Sequence, residues 1–144
     1  MSDRPPASDR RPVSNRSPGK GRVHTRARGA AGEALAAHHL EQQGLRIVAR
    51  NVHLRFAELD LVALDGTALV IVEVRMRAST RFGSAAESVD ARKQRRIVRA
   101  ARELLARGGL PRFSRVRFDV VAIDAAATPP RLTHFRDAFT ADRD

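Results

Sequence analysis

The chain has 144 residues, 42% of them hydrophobic, which suits one domain built around one modest core. Its formal net charge is +11 and its pI is about 11.7, the electrostatic footprint of a nucleic-acid binder, although anionic membranes and acidic proteins would attract it too. With no cysteine, a disulfide framework and a thiolate metal site are excluded, and the longest apolar run, Ala68 to Val72, is too short to span a membrane.

Residues 1–28 read as a disordered basic tail. They contain Pro5, Pro6, Pro12 and Pro18, four serines and few large apolar side chains, too little to offset the entropy of ordering. Eight Arg and Lys against two Asp give this segment +6 of the net charge. It suits a nonspecific phosphate-binding arm or a solubilising extension. No apolar h-region follows the basic residues, so it is not a secretory signal, and a cytoplasmic location is expected.

The folded domain is expected over 29–144. Gly29 to Gln43 has Ala31, Ala34, Leu35 and His38 at helical spacing, with Gly44 to end the helix. Leu45 to Asn51 alternates as a strand, and Ala57 to Leu64 is a second. Asp65-Gly66 reads as a hairpin turn. Thr67 to Arg77 is a third strand, apolar enough to be buried on both faces. Ala78 to Ser88, with Gly83, reads as a loop. A second helix runs from about Val89 to Ala106 and stops at Gly108-Gly109 and Pro111. Val116 to Ile123 is a fourth strand, and Arg131 to Phe135 a short fifth. The order α-β-β-β-α-β-β implies an α/β fold, a mixed sheet flanked by helices.

The hairpin sets a geometric expectation. With Asp65-Gly66 as a two-residue turn, Asp60 lies opposite Ile71 and Glu58 opposite Glu73. The period of two then directs Glu58, Asp60, Glu73 and Arg75 to one face. Asp60 and Glu73 become diagonal neighbours, about 7–8 Å apart at the backbone. Two carboxylates at that range can share a divalent cation, and oxygen ligands suit Mg²⁺ or Mn²⁺. The same pattern also fits a structural ion network in which Arg75 pairs with Glu73 or Asp60.

Several motifs carry a resemblance. Gly29-Ala-Ala-Gly32-Glu33-Ala-Leu-Ala-Ala-His-His-Leu40, Arg50-Asn51, Ala57-Glu-Leu-Asp60-Leu-Val and Val70-Ile-Val-Glu73-Val-Arg75-Met-Arg77 are followed by Gly83, Lys93, Ala100 and Arg117-Phe118-Asp119-Val120-Val121. In order and spacing they resemble the YraN family of uncharacterised bacterial proteins, over about Gly29 to Phe139. That family in turn resembles archaeal Holliday-junction resolvases and other PD-(D/E)xK nucleases. The resemblance implies a restriction-endonuclease-like fold, with Asp60 and Glu73 holding the metal and Glu33 assisting. It also implies a homodimer and a role in DNA repair or recombination. Glu58, usual in the family, ranks behind Asp60 as a supporting group.

The chain departs from the pattern at Arg75, where a lysine normally orients and deprotonates the attacking water. Arginine cannot act as a general base, though it can stabilise charge on phosphate. Lys93 matches a family position and is the candidate to supply the missing ammonium group. Ala57 stands where glycine is usual.

Arg92, Lys93, Arg95, Arg96, Arg99 and Arg102 crowd the second helix. With Arg77, the residues Arg92, Lys93 and Arg96 are the candidate nucleic-acid contacts; for any single residue of the helix except Lys93, a solvated surface opposite Ile97 and Leu104 is the simpler reading of the charge. The histidines have no partners at zinc spacing. Six Phe with no Tyr or Trp argue against base-stacking platforms of the RNA-recognition-motif or OB type, and Phe113, Phe118 and Phe135 are expected in the core. The leading expectation is a metal-dependent endonuclease-like protein that binds nucleic acid, DNA before RNA and with branched or single-stranded DNA as candidate substrates, and no membrane. Its rivals are a binding module that has lost cleavage and a basic adaptor protein.

Overall fold

The computed structural model describes residues 20–77 and 89–141, with side chains described from residue 29 onward. Helix α1 (Lys20–Gln42) is followed by strands β1 (Arg46–His53), β2 (Glu58–Asp65) and β3 (Ala68–Arg77), helix α2 (Ala91–Arg107), and strands β4 (Arg115–Asp124) and β5 (Arg131–Phe139). The expected α-β-β-β-α-β-β order is therefore the observed one. All five strands form a single sheet in the order β1-β2-β3-β4-β5, parallel only between β3 and β4.

Each face of the sheet carries one helix. Ala36, Ala37 and Leu40 of α1 pack on Leu61, Ala63, Val70, Val72, Val121 and Ile123. The small residues of α1 let it lie close: a Cβ on Gly32 would meet Met76 Cε at 3.0 Å and Val74 Cγ1 at 3.8 Å. On the other face Ile97, Val98, Ala101 and Leu104 of α2 pack on Val62, Leu64, Leu69, Ile71, Phe118 and Val120. β3 is thus covered on both sides, which explains its unbroken apolar run.

The structure differs from the sequence expectation in several details, among them a fifth strand that runs on from Phe135 to Phe139. α1 begins at Lys20, so residues 20–28 of the expected tail have helical backbone; Pro18 is the last proline before it. Residues 1–19 of that tail, and the expected loop 78–88 with Gly83, lie outside the described residues. The β2–β3 turn is centred on Gly66-Thr67, because Asp65 pairs with Ala68 and Gly66 alone takes positive φ, +59°, as the first central residue. Phe118 and Phe135 pack in or against the core as expected, but Phe113 is exposed.

Candidate carboxylate site and its surroundings

The turn shift moves the whole β2–β3 register. The ladder runs from Asp65↔Ala68 to Leu61↔Val72 and stops there. One further step would set Asp60 level with Glu73, directly across rather than diagonal. Instead the strands part. Leu59 and Leu61, two residues apart, pack into opposite cores, so the alternation of β2 breaks at Asp60. The Asp60 carboxylate fills the gap: its Oδ2 accepts a hydrogen bond from Val74 N–H at 2.8 Å. The ladder hydrogen bond lost by β3 is thereby replaced by a side chain.

Glu73 is 5% exposed on the sheet face that α2 covers. Lys93 Nζ lies 2.7 Å from its Oε1 and Arg75 Nε lies 3.9 Å from the same atom. Lys93 stands in the first turn of α2, where its backbone N–H is also held, at 2.8 Å, by the N-capping carboxylate of Asp90. Both ends of Lys93 are therefore fixed. The Lys93 ammonium thus reaches Glu73 from the neighbouring helix.

Glu33 joins from the opposite side of the sheet. Its carboxylate hydrogen-bonds the Asn51 side chain. Asn51 adopts φ +50° on β1, a left-handed conformation that asparagine tolerates better than most residues. It sits between the ladder pairs Arg50↔Leu61 and Val52↔Leu59, and so at the level of Asp60. Glu58 opens β2, and its charge reaches Glu33. It pairs with His53 Nδ1 at 3.8 Å across the β1–β2 ladder.

The carboxylates feel one another. Burial pushes Asp60 up to about 8, reinforced by the Glu73 charge and a hydrogen bond to Glu73, and opposed by the Val74 N–H. Burial also raises Glu33, against its bond to Asn51 and with the charges of Glu58 and Glu73. Repulsion of this kind between close carboxyl groups is what a divalent cation relieves. Among the described residues no group of three or more His, Asp or Glu side chains is placed to hold a metal ion. Asp60 and Glu73 are two hard oxygen donors, Glu73 buried and engaged by Lys93 and Asp60 engaged by the Val74 N–H. That donor set fits Mg²⁺ or Mn²⁺, which take one or two carboxylates and complete their shell with water.

The other predicted contacts are spread more widely. Arg92 and Arg96 are exposed on α2, beside Lys93. Arg77 is half-buried at the end of β3, level with Asp124 of β4. No helix among the described residues is long and apolar enough to cross a membrane.

A second charged cluster was not singled out from the sequence. Asp119, fully buried on β4, accepts two hydrogen bonds from Arg117 at 2.9 Å, one from Asp137 N–H at 2.9 Å, and lies 2.7 Å from His134 Nε2. Arg117 Nη2 extends the chain to Asp65 at 2.9 Å. The Arg-x-Asp spacing on one strand face signalled half of this; the partners on β5 and at the β2–β3 turn come from elsewhere in the chain.

Comparison with known proteins places the chain in a family. The model of the uncharacterised protein family UPF0102 matches residues 32–123. A UPF0102 protein of Xanthomonas euvesicatoria pv. vesicatoria is 54% identical over 117 residues, 80% of this chain and 93% of its own length. One of Rhodococcus jostii is 50% identical over 118 residues (81% and 99%), and one of Stutzerimonas stutzeri 46% over 115 (80% and 96%). The chain therefore belongs to the uncharacterised protein family UPF0102, the YraN family whose motifs it resembles.

Proposed function

We propose that this protein binds nucleic acid, DNA before RNA, and hydrolyses phosphodiester bonds at the Asp60–Glu73 site with Mg²⁺ or Mn²⁺. The observation that carries this reading is Lys93 Nζ, 2.7 Å from Glu73, the carboxylate whose charge Asp60 feels across the strand gap. Asp60 and Glu73 would hold the cation, with Glu33 assisting. A bound divalent cation supplies positive charge to the scissile phosphate and lowers the pKa of a water molecule. Lys93 and Arg75 place two further cationic groups at the same carboxylate, where they offset charge on a phosphate and orient its oxygens. The net charge of +11 draws the polyanion to the site.

A second reading is favoured by Arg75, which stands where the resembled nucleases carry a lysine. On it, the protein keeps the nuclease scaffold and the phosphate grip but does not cut. One assay separates the two: cleavage of single-stranded, duplex, flap and four-way-junction DNA in Mg²⁺ and Mn²⁺. The expected result is metal-dependent cutting, abolished in Asp60→Ala and Glu73→Ala. Lys93→Ala should lose roughly 100-fold or more, the scale of a positioned proton-transfer or charge-stabilising group. No cutting by wild type or by Arg75→Lys, with salt-sensitive binding retained, would establish the binding module instead.

A further inference from the structure

The β1–β2 hairpin ends in an unusual tip. Leu54 N–H bonds to Ala57 O at 3.1 Å, leaving Arg55-Phe56 as the two central residues. Such positions favour Gly, Asn or Asp, whose backbones suit the turn. Here one of them is a phenylalanine, 52% exposed, the most exposed large hydrophobic side chain among the described residues. Its flanking neighbours Leu54 and Ala57 pack against the core, so the hairpin could have buried an apolar residue and turns this one outward.

The tip is held in place. Arg55 N–H donates to Glu103 Oε2 of α2 at 2.9 Å, and the Arg99 guanidinium lies 5.7 Å from the centre of the Phe56 ring. The stacked arginine fixes the ring against the helix by cation–π attraction and is itself part of the exposed arginine face of α2. Arg92, Arg96 and Arg99 recur at spacings of four and three, one continuous ridge. Phe56 is four residues along the chain from Asp60, a reach of about 13 Å in extended backbone.

We infer that Phe56, with Arg99 stacked on it, is a platform for an unpaired DNA base, and that the adjoining arginine ridge takes the phosphates that follow. The inference rests on the proposed nucleic-acid reading and names its substrate: single-stranded or branched DNA rather than continuous duplex. A base inside a duplex is already stacked on its neighbours and cannot meet the ring. An unpaired base can, without regard to sequence, because every base has a π-face.

The test uses the full chain and an oligonucleotide carrying 2-aminopurine, whose fluorescence is quenched when it stacks. Wild type should quench the single strand on binding. Phe56→Ala should lose the quenching and about tenfold or more in single-strand affinity, the effect of deleting one aromatic–base stack. Phe56→Trp should restore both, and duplex affinity should be the same for all three. Wild-type quenching and affinity in Phe56→Ala, with an unchanged thermal transition, would overturn the platform and leave the nucleic-acid reading standing. An equal loss of duplex and single-strand affinity would overturn it too, by making the ring a general contact. Tenfold tighter binding of RNA of the same sequence would overturn the DNA assignment. Absence of salt-dependent binding to any DNA by wild type would remove the parent reading and the platform together.

Discussion

Asp119 is a buried charge whose every neighbour is a donor. Burial alone would raise its pKa, but His134, Arg117 and the Asp137 N–H outweigh burial and hold it below the usual carboxylate range. A depressed folded-state pKa means that the unfolded chain takes up the proton first. The stability Asp119 contributes is thus present above its ordinary value of about 4 and is lost as pH falls through the lower, folded value. Denaturant titrations between pH 7 and pH 3 should show that loss, with a shallower decline in Asp119→Asn. Asp119→Ala leaves His134 without its carboxylate and Arg117 with Asp65 alone, and should cost about 3–5 kcal/mol at pH 7; a loss under 1 kcal/mol would show that the cluster is not a structural tie. Asp60 is the opposite case, a carboxyl pushed up by burial and by Glu73. Natural sequences place charges so opposed to folding at sites of chemistry more often than elsewhere.

At the level of elements, the site depends on three junctions. β2 parts from β3 at Asp60, α2 starts at Asp90, and α1 approaches the sheet at Gly32. The α2 start is the simplest to test, because Asp90 caps the helix and Lys93 is its third residue. Asp90→Ala should destabilise the protein by about 1 kcal/mol through the lost cap. It should also loosen Lys93 and lower any cleavage rate at unchanged DNA affinity, measured under saturating DNA. All seven elements were legible from periodicity and from breakers such as Gly44, Gly108-Gly109 and Pro111, since these are local properties. The turn was not, because Asp-Gly is equally at home one position earlier. Its true placement follows from Asp65, whose carboxylate is engaged by Arg117, fifty-two positions away in sequence.

For the whole molecule, charge is the governing quantity. If α2 lies along a phosphate backbone, a plot of log affinity against log salt should be steep. Its slope should fall by about one for each phosphate-contacting residue removed. Arg92→Ala and Arg96→Ala are expected to show that fall, uniformly across DNA sequences. A slope that stays constant in both variants would make those arginines a solvated helix face. Removal of residues 1–19 would apportion the remaining slope between the basic N-terminal segment and the domain.

Composition, periodicity and strand spacing determined the class of fold, the order of its elements, the strongly basic charge and the candidates Asp60 and Glu73, and the family resemblance added Glu33 and Lys93. They could do so because helical and strand periods, turn formers and net charge are carried by neighbouring residues. Only the tertiary structure decided that Asp60 caps a broken ladder, that Lys93 meets Glu73 from another element, that Asn51 holds Glu33, and that Asp119 binds Arg117 and His134. Each of these joins groups on different strands or helices. The partner is fixed by strand register and by the break in alternation at Asp60, and both are settled by packing two cores at once on opposite faces of one sheet.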